Sequence, residues 1–423
     1  MELNKLSPLG FGSYRVSIKS SKNKEALKMA LELGVNLIDT SANYTDGDSE
    51  RLIGEVLKEN PTLDAFIMTK AGYIQGKNLY ELERLNREGK ALDDLVNLTP
   101  NLKHSIHPEF LQNQLDLSLQ RLGRESIDGF LLHNPEYFFD QDGEQDPNVY
   151  YSRIKMAFTF LEEKVKEGKI KHYGISSNTF PGDPELGRTT NILTVMKLAG
   201  EVSSSNHFRL VQFPMNMIEN GAIVNMNQGK NLIEWCKIFK LHTFVNRPLN
   251  AFSSEGLIRL ASYEFMDEPM SDIDADEAYN LCFNLLKKRW KSQNLEEKLE
   301  DIPLMKQFKE LWKFLPSPDA VDQVFQGHFF PLIAQIWGGA GLSAEESKPF
   351  YLLYDIAQLL SRRNMGLRAR EYQVELAHKG ILNPTDTRPL SVQCIDSYLK
   401  AGVDHVLVGM RDPRYVEMLK SLF

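Results

Sequence analysis

Four ionisable side chains fall at the ends of short apolar runs: Asp39 in NLIDTS, Tyr44 just after it, Lys70 closing FIMTK and His133 closing FLLH. Taken singly, each has an ordinary explanation. An Asp before Thr and Ser is commonly a cap or turn former, a terminal Lys a solvated chain, and a His after an apolar run a structural residue. Together they make a proton-relay set. Reducing a carbonyl by hydride transfer needs a proton donor to the developing alkoxide. A phenol, with a reference pKa of about 10, becomes a workable donor when an ammonium nearby stabilises its phenolate. A carboxylate keeps that ammonium charged and aimed, and an imidazole orients the substrate oxygen. The set needs no metal.

Such residues must be positioned by a scaffold, and the rest of the chain reads as one. Apolar or β-branched runs predict strands over 6–13, 35–41, 64–70, 127–134, 169–177, 208–215, 241–248 and 404–410. Helical spacing predicts helices over 22–33, 48–59, 108–122, 151–167, 188–200, 228–240, 390–401 and 413–422. Asp48 and Ser49 are expected to cap the second of these. Eight strand–helix alternations imply a parallel sheet covered on both faces, closing most simply as a (β/α)8 TIM barrel. No GxGxxG follows the first strand, which counts against an open dinucleotide-binding sheet. In a barrel the four residues share one end, at the carboxyl ends of their strands.

The spacing is uneven. Residues 74–107, 135–150 and 180–206 exceed ordinary connections, and 253–388 holds several amphipathic segments before the eighth strand. Residues 1–423 are therefore read as one barrel with a helical insertion over 253–388. The 423 residues carry a formal charge of −8, which argues against nucleic acid or an acidic membrane surface as partner. No apolar run is long enough to span a bilayer and no secretory signal opens the chain. The three cysteines, Cys236, Cys282 and Cys394, are scattered. A cytoplasmic location is expected; the sequence is silent on oligomeric state.

The motifs resemble one known family. NLIDTSANYTDGDSERLIGEVLK is similar to the aldo-keto reductase signature, with Asp39 and Tyr44 at its spacing; FIMTKAG matches at Lys70, and SLQRLGRESIDGFLLHNP ends on His133. VKEGKIKHYGISSNT, LVQFPMN and VDHVLVGMRDPRYVEML resemble the family's fifth, sixth and eighth strand segments. The resemblance runs over about 6–252 and 388–423. It implies an oxidoreductase acting on a small carbonyl or alcohol, with Asp39, Tyr44, Lys70 and His133 catalytic and NADP (NAD possible) as cofactor. Carried over by position, Ser13 and Tyr14 lie beside the cofactor, Ser177 and Asn178 hold its carboxamide with Gln212, and Asn246, Arg247, Pro248 and Leu249 run along nicotinamide and pyrophosphate. Gly409 approaches the adenosine end, where Arg411 pairs with a 2′-phosphate.

The chain departs from the pattern at three places. Asn246 stands where an aromatic residue often stacks on the nicotinamide. Tyr415, Met418 and Leu419 stand where an Arg and a Glu-Asn pair often hold the adenine. No substrate loop is expected after the last helix, so the aromatic stretch Tyr137, Phe138, Phe139, Tyr150 and Tyr151 is expected to line the pocket or to pack on the inserted helices. A second function stays open: a cofactor-binding regulatory barrel with little turnover, as in potassium-channel β subunits, with the insertion as partner surface. A barrel hydrolase built on Asp39 would leave Tyr44 and Lys70 idle.

Overall fold

Strands rich in Val, Ile, Leu and Phe on both faces have no side to turn to water, so they close on themselves. In the computed structural model they form a closed parallel barrel: β1 (Leu9–Gly12), β2 (Leu37–Asp39), β3 (Phe66–Ala71), β4 (Ile127–His133), β5 (Ile170–Ser176), β6 (Phe208–Pro214), β7 (His242–Asn246) and β8 (His405–Val408). Each strand lies beside its neighbour in sequence, and β8 pairs with both β7 and β1. Leu9 opposes Val406 across this seam, and Phe244 opposes His405. Leu37, Phe66, Met68, Leu131, Leu210, Phe244 and Leu407 fill the interior as one buried cluster. At β5 the backbones crowd: a Cβ on Gly174 would sit 1.8 Å from the Leu210 carbonyl oxygen, so only glycine fits where the β5–β6 register shifts.

The structure describes residues 2–89, 91–141, 143, 145–253, 256–261, 272–292, 299–338 and 341–423. The chain divides into two compact units, Met1–Ser254 with Val392–Phe423, and Glu255–Ser391. In the first, the helices begin and end as their sequences direct. Ser20 caps Ser21–Glu32 by accepting the Asn23 N–H, and Pro108–Leu122 opens on proline and ends at Gly123 with φ of 63°. Asp48–Glu59 differs from expectation: its N-cap is Gly47, and the Ser49 hydroxyl instead donates to Ser13. The connection after β3, longer than an ordinary one by sequence, holds a three-stranded antiparallel sheet of Tyr73–Ile74, Val96–Thr99 and Leu102–His104.

The second unit is helical with its own core. Cys282, Leu286, Phe308, Trp312, Phe325, Phe329, Phe350 and Leu353 are buried together. Amphipathic segments expected over 253–388 lie on Asp272–Lys291, on Pro303–Leu311 with the turn Trp312–Phe314, and on Ala344–His378. The last, 35 residues long, starts at a capping box formed by Ser343 and Glu346. Residues 254–255, 262–271, 293–298 and 339–340 of the expected insertion lie outside the described residues. Among the described residues, no helix is long and apolar enough to cross a membrane.

Candidate active site

The register of the barrel fixes where the four relay residues stand. Asp39 ends β2 and opposes Met68; Lys70 lies one residue from the end of β3; His133 ends β4. Lys70 is fully buried, and its ammonium donates to Asp39 Oδ1 at 2.5 Å and to the Thr40 carbonyl at 2.9 Å. Gln212, from β6, donates its amide to the same Asp39 oxygen at 2.8 Å and accepts from Ser176 at 2.6 Å. Burial lowers the Lys70 pKa, and Asp39 works against that shift. The ammonium lies 5.3 Å from the centre of the Tyr44 ring.

Tyr44 follows on a 3-10 turn whose Thr45 and Asp46 take φ of 48° and 54°, a left-handed kink that breaks the turn. Burial pushes its phenol well above the ordinary value, with Asp39 and then Tyr14 adding to the rise. This differs from the expectation of a lowered phenol: desolvation outweighs the help that the Lys70 ammonium, shared with Asp39, gives the phenolate. At neutral pH Tyr44 therefore holds its proton. His133 stands edge-on to Tyr44, with ring centres 6.2 Å apart. Its Nδ1 lies 3.1 Å from the Ser41 hydroxyl, while Nε2 has no partner among the described residues. Burial, the Lys70 charge and His104 push His133 well below the ordinary imidazole value, so it is neutral.

Two residues that sequence reasoning passed over support this ring. Tyr73 packs edge-on against His133, ring centres 4.6 Å apart, and its hydroxyl accepts from Asn134 at 2.6 Å. His104 is fully buried and contacts the His133 carbonyl through Nε2 at 2.7 Å, which is a hydrogen bond only if that nitrogen carries the proton. Burial lowers its pKa to about 3. Gly72 makes this approach possible, because a Cβ there would lie 2.4 Å from the His133 carbonyl oxygen. No spacing in the sequence marks these contacts, since they depend on the small sheet after β3.

The expected cofactor residues divide into two groups. Ser13 is buried, donating to the Asp39 carbonyl at 2.8 Å, and with Gln212 it holds Asp39 in place. Ser177 is buried in a hydroxyl cluster with Thr179 and Thr190. Tyr14 and Asn178 are exposed at the barrel mouth, Tyr14 edge-on to Tyr44 at 5.3 Å. Asn246 ends β7 with a buried Oδ1 that has no partner among the described residues. Arg247 is paired to Glu219 at 2.8 Å and lies over the Phe252 ring; the Pro248 carbonyl accepts from Tyr398, and Leu249 is half-buried. Gly409 is exposed, with nothing within 4 Å of where its Cβ would be. Arg411 is exposed beyond β8, its carbonyl held by Asn23.

The aromatic stretch after His133 is a correction to the pocket expectation. Phe138, Phe139 and Tyr150 are buried and pack on one another, with Phe139 and Tyr150 ring centres 4.7 Å apart. They are core. Apolar rings on a long connection suit a pocket or a core equally well by sequence, and here burial decides.

The fold and site define a class: a closed (β/α)8 barrel whose strand ends gather a buried Asp–Lys pair, a protonated tyrosine and a neutral histidine. The chain belongs to the aldo/keto reductase family, whose model matches residues 8–240. It is 26% identical over 180 residues to an NADH-specific methylglyoxal reductase of Escherichia coli, covering 41% of this chain and 48% of that one. It is 30% identical over 207 residues to an uncharacterised oxidoreductase of Schizosaccharomyces pombe, covering 47% and 56%. The chain thus spans about half the length of these relatives. Among solved structures, a glycerol dehydrogenase of Gluconobacter oxydans aligns over 99% of this chain and 86% of its own, at 18% identity and a TM-score of 0.49.

Proposed function

We propose that the protein interconverts a small carbonyl compound and its alcohol with a nicotinamide dinucleotide, NADP before NAD. One observation carries the reading: the buried Lys70–Asp39 pair lies beneath Tyr44, with neutral His133 beside it. The exposed face fits such a cofactor. Gly409 leaves backbone open, Asn178 stands free at the mouth, and the orphaned Asn246 Oδ1 is a buried acceptor awaiting a donor such as an amide. Arg411, exposed beyond β8, supplies the cation for a 2′-phosphate.

A bound reduced nicotinamide supplies the hydride. The chain does the rest. His133 Nε2 orients the carbonyl oxygen at a nitrogen that carries no net charge. Tyr44 gives its hydroxyl proton to that oxygen as the carbonyl carbon accepts hydride, so the alcohol leaves neutral. The phenolate left behind is stabilised by Lys70, which Asp39 and Gln212 hold in place.

Tyr44→Phe tests this. Turnover of carbonyl substrates is expected to fall by orders of magnitude, while calorimetric NADPH affinity stays within severalfold. Calorimetry is preferable to intrinsic fluorescence because Trp290, Trp312 and Trp337 belong to the second unit and only Trp235 to the first. A variant that turns over as the wild type does would remove Tyr44 from the chemistry. Tight nucleotide binding by the wild type, without turnover on any carbonyl tried, would favour the regulatory reading.

A further inference from the structure

A carboxyl group that the relay does not use sits directly after β4, behind the exposed Asn178. Directly after β4, residues Pro135–Asp140 form a 3-10 turn, entered through Asn134 with φ of 51°. Asn134 ties the turn to β5 by donating its N–H to the Ser176 carbonyl at 2.7 Å. This turns Glu136 inward, where only 5% of it is exposed. Its Oε1 accepts the Asn178 N–H at 2.7 Å, while Oε2 is buried without a hydrogen-bond partner among the described residues.

The groups around it leave its charge unbalanced. From its own turn, Asp140 repels it. The helix Pro147–Lys166 brings Tyr150, whose hydroxyl bonds Thr190 at 2.8 Å, and Arg153. That guanidinium is held by Asp94 at 2.6 Å and makes no ion pair with Glu136. From the segment after β5 come the Asn178 N–H and the Ser177 hydroxyl. Across the site the Lys70 charge is already matched by Asp39, and His133 is neutral. An ionised Glu136 is therefore a buried negative charge that no cation of the described residues pairs with. Burial raises its carboxyl to about 7, against the N–H bonds that favour the carboxylate.

We infer that Glu136 is a positioning residue: it anchors the Ser177–Asn178 segment and, through its charge, makes the site discriminate the oxidised from the reduced nicotinamide. The inference rests on the proposed function for where the nicotinamide lies. The oxidised ring is a cation and the reduced ring is neutral, so a carboxylate behind Asn178 favours the first over the second. Coulomb's law at an effective dielectric of about 20 makes one unit charge at roughly 12 Å worth roughly tenfold in relative affinity. The sign follows from linkage. Binding of the cation stabilises the carboxylate, so NADP+ binding releases a proton from Glu136 where that group is partly protonated, and NADPH binding does not. As pH rises through the Glu136 titration, affinity for NADP+ gains on that for NADPH.

The test is calorimetric titration of the full chain with NADP+ and NADPH across neutral pH, in buffers of different ionisation enthalpy. In the wild type the affinity ratio is expected to move roughly tenfold toward NADP+ as pH rises, with proton release specific to NADP+. Glu136→Gln should flatten the ratio at its low-pH value and abolish the extra release. The 2′-phosphate is common to both nucleotides, so its protonation cancels. Should Glu136→Gln fail to fold, the wild type still decides: equal proton release with both nucleotides overturns the inference. An unchanged pH dependence in Glu136→Gln overturns it too. Absence of binding of either nucleotide to the wild type would instead overturn the proposed cofactor site, and this inference with it.

Discussion

Replacing Asp39 with Asn isolates the charge of the buried pair from its hydrogen bonds. An amide oxygen still accepts from Lys70 and Gln212, as Asp39 Oδ1 does now. What is lost is the negative charge opposite a fully buried ammonium, whose other partner is the Thr40 carbonyl. Removing one member of a buried pair costs about 3–5 kcal/mol when the survivor stays charged. Lys70 is already lowered by burial and escapes part of that cost by losing its proton, so about 3 kcal/mol at neutral pH is expected. The pH dependence has a definite sign. A lysine depressed in the folded state binds more protons when unfolded, so its destabilising effect is full below the folded pKa and fades as pH rises. Asp39→Asn depresses Lys70 further, and its deficit against wild type should narrow through the alkaline range. Urea unfolding followed by circular dichroism, from about pH 6 to about pH 10, reads this directly, with hydrogen exchange at Phe66–Ala71 as a local check. A loss below about 1 kcal/mol, the range of a surface pair, would refute the reasoning. So would a deficit that widens with pH.

Three further outcomes follow from described contacts. Gly72→Ala should destabilise by about 2–3 kcal/mol and displace His133, because its Cβ meets the His133 carbonyl oxygen; chemical denaturation measures the first and an altered KM the second. Arg411→Ala should weaken NADPH well beyond NADH in calorimetry; equal losses would show that Arg411 does not meet the 2′-phosphate. Histidines held neutral by burial, His104 at about 3 and His405 at about 4, bind protons on unfolding. Stability is full above the ordinary imidazole value and should fall by about 1.4 kcal/mol per pH unit for each such group as pH drops below it. An acid limb of unfolding in urea with a slope below that of one histidine would contradict this.

The barrel was legible because its signals are strong and local. Parallel strands buried on both faces read as unbroken apolar runs, so the eight strands lie within a few residues of where the sequence sets them. Asp39, Lys70 and His133 were findable by the same token, since they terminate those runs. The small sheet after β3 was not, because strands of two to four residues carry no periodicity. With it went Tyr73 and His104, which brace His133. The direction of the Tyr44 shift is not legible because a sequence shows that an ammonium is near but not how completely burial desolvates the phenol. Glu136 also went unmarked: an acidic residue on a connection is ordinarily exposed. The one hint was its place in a stretch crowded with aromatic rings.

The seam between β8 and β1 has a consequence for how the chain is made. Residues 9–11 find their partners only at 406–408, and Glu255–Ser391 are synthesised in between. Until β8 is synthesised, the first seven strands lack the pairing that closes the barrel, and β1 and β7 each have an unpaired edge. Such edges template unwanted pairing with other chains, and contacts this distant in sequence form slowly. The nascent protein is thus most exposed to aggregation, and most dependent on chaperones, in the interval while its second unit is being translated.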